Sequence, residues 1–313
     1  MIDGNKIRIG ARGSRLSLQQ AESVRNRLVM AYPDCSFSIV TIATKGDLTL
    51  DAPLPQIGGK GVFTMEIEQA LRLGQIDLAV HSLKDLPTEP VPGIVIGAIS
   101  ERVDVSDAVI SRSGVRLLEL PEGAVLGTSS HRRAAQLRRI RPDFRTESIR
   151  GNIETRIRKT IDPNGPYDAA VLATAGLVRL DLMGAAVEQL SLNVMVPAPG
   201  QGALAVQCRD DDGSIDFLSG IDDRAARLAT SAERAFLSGV GGGCSAPIAC
   251  HGMLTGNRLR LHGRIVALNA SEQVDVQLER VIFDEAGAIT AGALLAVDAL
   301  HSGAAELLAL ATV

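Results

Sequence analysis

The chain has 313 residues, 46% hydrophobic and 22% charged, with a formal net charge of −4. At ~150 residues per domain this length makes two or three domains with a substantial core, and the proportions exclude a disordered, collagenous or coiled-coil chain. Aromatic residues are only 3% and Trp is absent, so base-stacking platforms and aromatic sugar clamps are not its main devices, and the acidic balance disfavours a surface built wholly for nucleic acid.

Lys stands only at Lys6, Lys45, Lys60, Lys84 and Lys159, so 27 of the 32 basic residues are Arg. Arg offers a rigid, permanently charged fork suited to carboxylate or phosphate, although the codon bias of a GC-rich genome gives the same count. Cys35, Cys208, Cys244 and Cys250 form no CxxC pair and no His stands at metal-ligand spacing from them, so neither a metal site nor a disulfide framework is expected. The N-terminal MIDGNKIRIGARGS lacks an apolar h-region and no stretch approaches ~18 continuous apolar residues; a cytoplasmic chain with no membrane partner is expected.

In chain order, Ile7 to Ala11 reads as a strand, Leu16 to Ala31 as a helix and the alternating Phe37 to Ile42 as a strand. Thr64 to Leu73 and Ser130 to Ile140 follow as helices. Ile76 to Val80, Ile94 to Ala98, Ala124 to Thr128, Ala169 to Ala173 and Ala203 to Gln207 follow as strands. This alternation predicts an α/β sheet protein. The breaker-rich Pro87–Gly93 and Pro197–Gly202 read as inter-domain turns. Beyond about residue 222, a helix from Ala225 to Leu237, strands around Leu259 to Leu268 and Val274 to Ile282 and an Ala/Leu-rich final helix predict a smaller α+β domain. No internal repeat is visible.

Between Arg132 and Lys159 stand ten basic residues against three acids, either a solvated face or the lining of a polyanion site. GTSSHRR places Thr128, Ser129 and Ser130 where a strand opens into a helix, beside Arg132 and Arg133; free backbone N–H groups and the helix dipole attract anions there. IRGN repeats the arrangement, with Arg150 leaving a strand and Asn152 placed to cap the next helix. ARGS puts Arg12 and Ser14 just past a strand, where open α/β sheets bind ligands. GGKGVF has the glycines and lysine, but not the spacing, of a P-loop. AVHSLKDLPT carries His81, Ser82, Lys84 and Asp85 to a strand end; Asp85 suits either an ion pair with Lys84 or a developing cation on a substrate, and His81 reads as a packing residue. In GVGGGCSAPI, Cys244 follows three glycines that let something approach the backbone closely, so a covalent role and an inert thiol both stand.

Taken in order, ARGS, GGKGVF, HSLKDLPT, GTSSHRR, RGN, PAPGQGA and GGGCSAPI resemble the porphobilinogen deaminase (hydroxymethylbilane synthase) family over nearly the whole chain, less so in the last 60 residues. The resemblance implies two periplasmic-binding-protein-like α/β domains around a cleft plus a smaller α+β C-terminal domain. Their bounds are expected at residues 1–100 with 201–219, at 101–200 and at 222–313. It implies a transferase that joins four porphobilinogen molecules head to tail, releasing ammonia, into linear hydroxymethylbilane. A dipyrromethane cofactor held by a thioether on Cys244 is implied, as is a monomer without nucleic-acid partner. Asp85 matches the family's catalytic aspartate.

By the same resemblance, Ser82, Lys84, Asp85, Thr128, Ser130, Arg132, Arg133, Arg150 and Gly151 hold the cofactor. Arg12, Ser14, Gln20, Lys60, Phe63, Arg150, Arg156, Arg179 and Gln201 meet substrate. Each porphobilinogen carries an acetate and a propionate, which accounts for the abundance of Arg. The chain departs from the family at Gln56 and Met65, where Lys is frequent, and at His131, where Leu is. A non-catalytic binding protein for an organic anion explains Arg12 and GTSS but leaves Asp85 and Cys244 without a role; a nucleic-acid regulator lacks a reader motif.

Overall fold

The computed structural model describes residues 6–44, 64–210, 214–243 and 246–309. The chain divides into two compact units, Met1–Arg102 with Ala203–Arg227, and Val103–Gly202 with Leu228–Val313.

The first unit opens with β1 (Lys6–Arg12), α1 (Arg15–Ala31) and β2 (Ser36–Ile42), then α2 (Met65–Arg72), β3 (Leu78–Ser82) and β4 (Ile94–Ile99). In the second unit follow β5 (Asp107–Ser111), β6 (Val125–Gly127), α3 (His131–Ile140), β7 (Arg145–Glu147), α4 (Ile153–Ile161), β8 (Ala169–Ala173), α5 (Thr174–Arg179) and β9 (Glu188–Gln189). The first unit is completed by β10 (Leu204–Arg209) and α6 (Ser214–Leu218). After α7 (Arg224–Gly239) come β11 (Ile248–Thr255), β12 (Arg258–Val266), β13 (Gln273–Val281), α8 (Glu285–His301) and α9 (Ala304–Ala309).

Two five-stranded sheets have equivalent orders, β2-β1-β3-β10-β4 and β7-β6-β8-β5-β9. In each, three parallel strands are followed by one antiparallel strand, β10 or β5, and then a fifth strand. Parallel strands buried on both faces require continuous apolar runs, which is why LAVHS and AAVLA do not alternate. In the first unit, Ile7, Ile9, Leu78 and Val80 pack on Ala21, Val24 and Leu28 of α1. On the other face, Ala79 packs with Ile67, Ala70 and Leu71 of α2. Each fully buried Leu or Ile contributes ~1.5–3 kcal/mol. The third sheet, β11-β12-β13, is antiparallel and shares a core with α7, α8 and α9 through Phe236, Leu261, Ile265 and Leu295. The architecture is thus two α/β sheet modules and a smaller α+β module.

Several expectations are corrected. Pro87–Gly93 is not a boundary between units: it joins the turn after β3 to β4 inside the first unit, and the change of unit falls between Arg102 and Val103. The strand expected at Ile76 to Val80 runs two residues later, because the sheet pairing extends through His81 with Ala205 and Ser82 with Leu204, polar residues that no hydropathy pattern marks. The strand that Arg150 leaves is the short β7, which ends at Glu147; β5, β9 and β11 have no counterpart in the expected elements, and β5 and β9 are five residues or fewer, too short for a period to register.

Candidate active site

In the first unit the implicated side chains gather at the carboxyl ends of parallel strands. Arg12 ends β1 and Ser82 ends β3. Ser14 caps α1, its hydroxyl accepting from the Ser17 N–H at 3.2 Å, and its own O–H proton stays available to an acceptor. The buried Gln20 donates from Nε2 to Ser82 Oγ at 2.8 Å, so α1 orients the end of β3. A short 3-10 turn, Leu83–Asp85, follows; its Leu83 and the next Leu86 are buried, and Leu83 N–H donates to the Ala203 carbonyl. Asp85 is exposed on this anchored turn and has no hydrogen bond or ion pair among the described residues. Behind it, burial, helped by the Arg12 charge and opposed by Gln207, pushes the His81 pKa down to about 4, so the ring is neutral at pH 7. Lys60, Phe63 and Gln56 lie outside the described residues.

The second unit has the same placement at its own parallel strands. After β6, Thr128 Oγ1 accepts from Ser130 N–H at 3.2 Å, and Ser130 caps α3 by accepting from Arg133 N–H at 3.4 Å. After β7, Gly151 holds φ at +113°, and a Cβ there would stand 2.9 Å from Thr155 Cβ, so glycine is required by both dihedral and space. Its carbonyl accepts from Arg156 Nε at 2.8 Å, and Asn152 caps α4 by accepting from Thr155 N–H at 2.8 Å. Arg150 stands beside this turn, half-buried, as does Arg156.

A residue that the sequence did not single out organises this half. Asp107 is fully buried on β5, and its carboxylate accepts from Arg132 at 2.8 Å, Arg133 at 2.6 Å and Gln201 at 3.0 Å. Arg132 also donates to the Val196 carbonyl at 2.7 Å, and Gln201, fully enclosed, donates to the Val105 and Ser106 carbonyls. Two guanidiniums thus meet one carboxylate, and Arg133 Nε is buried without a hydrogen-bond partner. Arg179, at the last turn of α5, donates to the Gly202 carbonyl at 2.8 Å; burial alone pulls its pKa down to about 10, with no carboxylate acting on it. A cation drawn partly out of water without a counter-charge is costly until an anion arrives.

Most of the remaining basic segment has a use that neither sequence reading anticipated. Arg138 donates to the Leu268 carbonyl, Arg139 to Ser271, Arg141 to Leu120, Arg145 to Gly123 and Lys159 to Arg150. These cations tie backbone ends together. Phe144 is a core residue, with Arg141 over its ring at 4.3 Å.

Cys244 lies outside the described residues. On its N-terminal side a Cβ on Gly242 would stand 2.0 Å from Ile248 Cδ1, so a side chain there would have to displace that methyl group of the third sheet. No group of three His, Cys, Asp or Glu able to hold a metal occurs among the described residues, and no described helix is long and apolar enough to cross a membrane.

Cations, capping hydroxyls and helix N-termini at the carboxyl ends of parallel strands define an α/β protein made to hold an acidic small molecule. Residues 7–216 match the model of "Porphobilinogen deaminase, dipyromethane cofactor binding domain", and residues 227–301 that of the "Porphobilinogen deaminase, C-terminal domain". Similar curated proteins named porphobilinogen deaminase occur in Roseiflexus castenholzii, 44% identical over 97% of this chain and 99% of that one, and in Pelotomaculum thermopropionicum, 46% identical over 97% and 96%. Among solved structures, the methionine binding protein MetQ is similar over 80% of this chain and 99% of that chain, at TM-score 0.42 and 15% identity. The chain belongs to the porphobilinogen deaminase family, and it is an enzyme with that family's activity. That replaces the readings as a non-catalytic binding protein and as a nucleic-acid regulator.

Proposed function

We propose that the chain condenses four porphobilinogen molecules head to tail into linear hydroxymethylbilane, with Asp85 as the catalytic carboxylate and Cys244 as the thioether anchor of a dipyrromethane primer. The observation that carries the reading is Arg179, a half-buried guanidinium on which no acidic partner acts among the described residues. Every pyrrole unit brings two carboxylates, and Arg179 together with the unpartnered Nε of Arg133 is the donor chemistry those groups need.

The same donor set fits dipyrromethane, whose rings carry the same side chains. Ser82, Lys84, Thr128, Ser130, Arg132, Arg133, Arg150 and Gly151 would hold it, while Arg12, Ser14, Gln20, Arg156, Arg179 and Gln201 serve incoming rings, with Lys60 and Phe63 joining them. When bound, the group supplies a pyrrole with a free α-carbon as the first acceptor. In each condensation the aminomethyl C–N bond of porphobilinogen breaks, ammonia leaves and positive charge develops on the substrate pyrrole. Asp85 accepts hydrogen bonds from pyrrole N–H groups and stabilises that charge. Anchored by Leu83 and Leu86, it does so without reorganising at the moment of reaction. The carbon freed of ammonia would then bond to the free α-carbon of the preceding pyrrole ring, which gives up its proton.

The working division is residues 1–100 with 201–219, 101–200, and 222–313, and the enzyme acts as a cytoplasmic monomer without nucleic-acid or membrane partners. Intact mass of the purified protein beside its Cys244→Ser variant tests the reading. A mass excess of two linked pyrrole units, absent from the variant, is expected. An unmodified mass that stays unmodified after porphobilinogen is added to folded protein overturns it.

A further inference from the structure

The geometry points to Arg264, on β12 of the small module, as a positioning residue that seats the anion-binding helix α3 and so tunes affinity for substrate carboxylates. The inference rests on the proposed role of Arg133 in holding those carboxylates.

Arg264 is the side chain where three elements meet. Its Nε donates to Asp275 Oδ1 on β13 at 2.9 Å. Its other arm donates to Gln136 Oε1 on α3 at 3.3 Å and to the Asn193 carbonyl at 3.1 Å. Gln136 is buried, and it closes a ring around the carbonyl that also orients Arg132. Gln136 Nε2 donates to the Val196 carbonyl at 3.0 Å, Val196 N–H donates back to Gln136 Oε1 at 2.9 Å, and Arg132 donates to the same Val196 carbonyl at 2.7 Å. Arg132 and Arg133 in turn share Asp107. A continuous line of hydrogen bonds thus runs from the surface of the third sheet to the pair of guanidiniums.

Asp275 is held in the form this arrangement needs. Burial pushes its carboxyl up, but hydrogen bonds from His262 and Arg264 outweigh that and hold it below the usual range. The carboxylate is therefore charged at neutral pH and fixes the Arg264 fork, whose second arm is aimed at α3. Elsewhere on the same sheet face, Arg258 and Arg260 pair with Glu279, and neither has a hydrogen bond to α3. Arg264 is thus distinguished from its neighbours by its partner and not by its charge.

α3 starts at the Ser130 cap and carries both guanidiniums within its first turn, so a small tilt of the helix moves Arg133 Nε off a bound carboxylate. That loss falls equally on ground state and transition state, because the acid groups sit away from the reacting carbon. It raises KM and leaves kcat unchanged.

The test compares Arg264→Leu, Arg264→Lys and Asp275→Asn with Arg260→Gln as control, by steady-state kinetics on porphobilinogen and by amide hydrogen exchange of α3. Arg264→Leu is expected to raise KM about 3- to 30-fold with kcat within about twofold, and to speed exchange in α3 but not in β1 or β3. Arg264→Lys keeps one donor and falls between Arg264→Leu and the unaltered chain, as does Asp275→Asn; Arg260→Gln changes neither constant. Should Arg264→Leu not fold, Arg264→Lys and Asp275→Asn carry the test alone. Lowered melting temperature with unchanged KM in all three overturns the inference, as does an equal effect of Arg260→Gln. Arg133→Gln separates this failure from that of the underlying reading: raised KM there alone leaves carboxylate binding intact, and unchanged KM there removes its basis.

Discussion

Arg132 and Arg133 are buried and Arg179 is half-buried on the same unit, and the three guanidiniums face different electrostatic problems. Asp107 compensates the first two, whereas among the described residues Arg179 has the Gly202 carbonyl and no carboxylate. Substituting Arg179→Met therefore removes an uncompensated charge. It is expected to stabilise the substrate-free chain by ~1–3 kcal/mol while raising KM for porphobilinogen; calorimetry and kinetics on one preparation read both, and a variant that loses stability refutes the account. Asp85 is the opposite case, an exposed carboxylate without a partner among the described residues. Asp85→Asn keeps the shape and one acceptor oxygen but removes the charge, so kcat should fall at least ~100-fold with the melting temperature unchanged. Turnover near the unaltered rate would end the assignment.

At the scale of elements, three helices open on a polar cap: Ser14 for α1 in the first unit, and Ser130 for α3 and Asn152 for α4 in the second. A cap satisfies an otherwise orphaned N–H and leaves the neighbouring ones aimed at a ligand. The seryl caps keep their proton for an acceptor. The turn before α4 is the most constrained, since Gly151 adopts a left-handed φ and packs against Thr155. Gly151→Ala is expected to cost ~1–3 kcal/mol and, by shifting Arg150 and the Arg156–Gly151 hydrogen bond, to raise KM as well. Urea unfolding alongside kinetics checks this; a neutral effect on both would show that the turn relaxes freely.

For the molecule as a whole, the pH dependence of stability has an identifiable contributor. In the unfolded chain His81 takes up a proton near its ordinary value of 6.5, whereas in the fold it does so only near 4. Between these limits the unfolded state binds more protons, so stability rises with pH across this window. The contribution is fully present above about pH 6.5 and is lost as pH falls toward 4, to a total of roughly 3 kcal/mol. His81→Asn should flatten the melting temperature between pH 4.5 and pH 7; an unchanged slope would place the titrating group elsewhere. The two large sheets contribute at this scale too, because their equivalent strand orders let two stretches with no visible sequence repeat present helix N-termini at corresponding strand ends.

The sequence by itself determined the alternation of strands and helices, the caps at Ser130 and Asn152, the strand-end positions of Arg12, Ser82 and Thr128, and the family. Each of these is written in neighbouring residues, through hydropathy period, capping chemistry or a run of motif residues. Only the tertiary structure decided what the Arg residues do. Asp107 looks like any acid at the start of a strand until Gln201, 94 residues away, and the two arginines of α3 close on it. Arg138 gains its meaning from the Leu268 carbonyl and Arg264 from the Gln136 amide, each more than a hundred residues distant. The place of β10 between β3 and β4 was decided the same way. Its pairing joins residues separated by more than a hundred positions, and no local period encodes which distant strand a buried apolar run will choose.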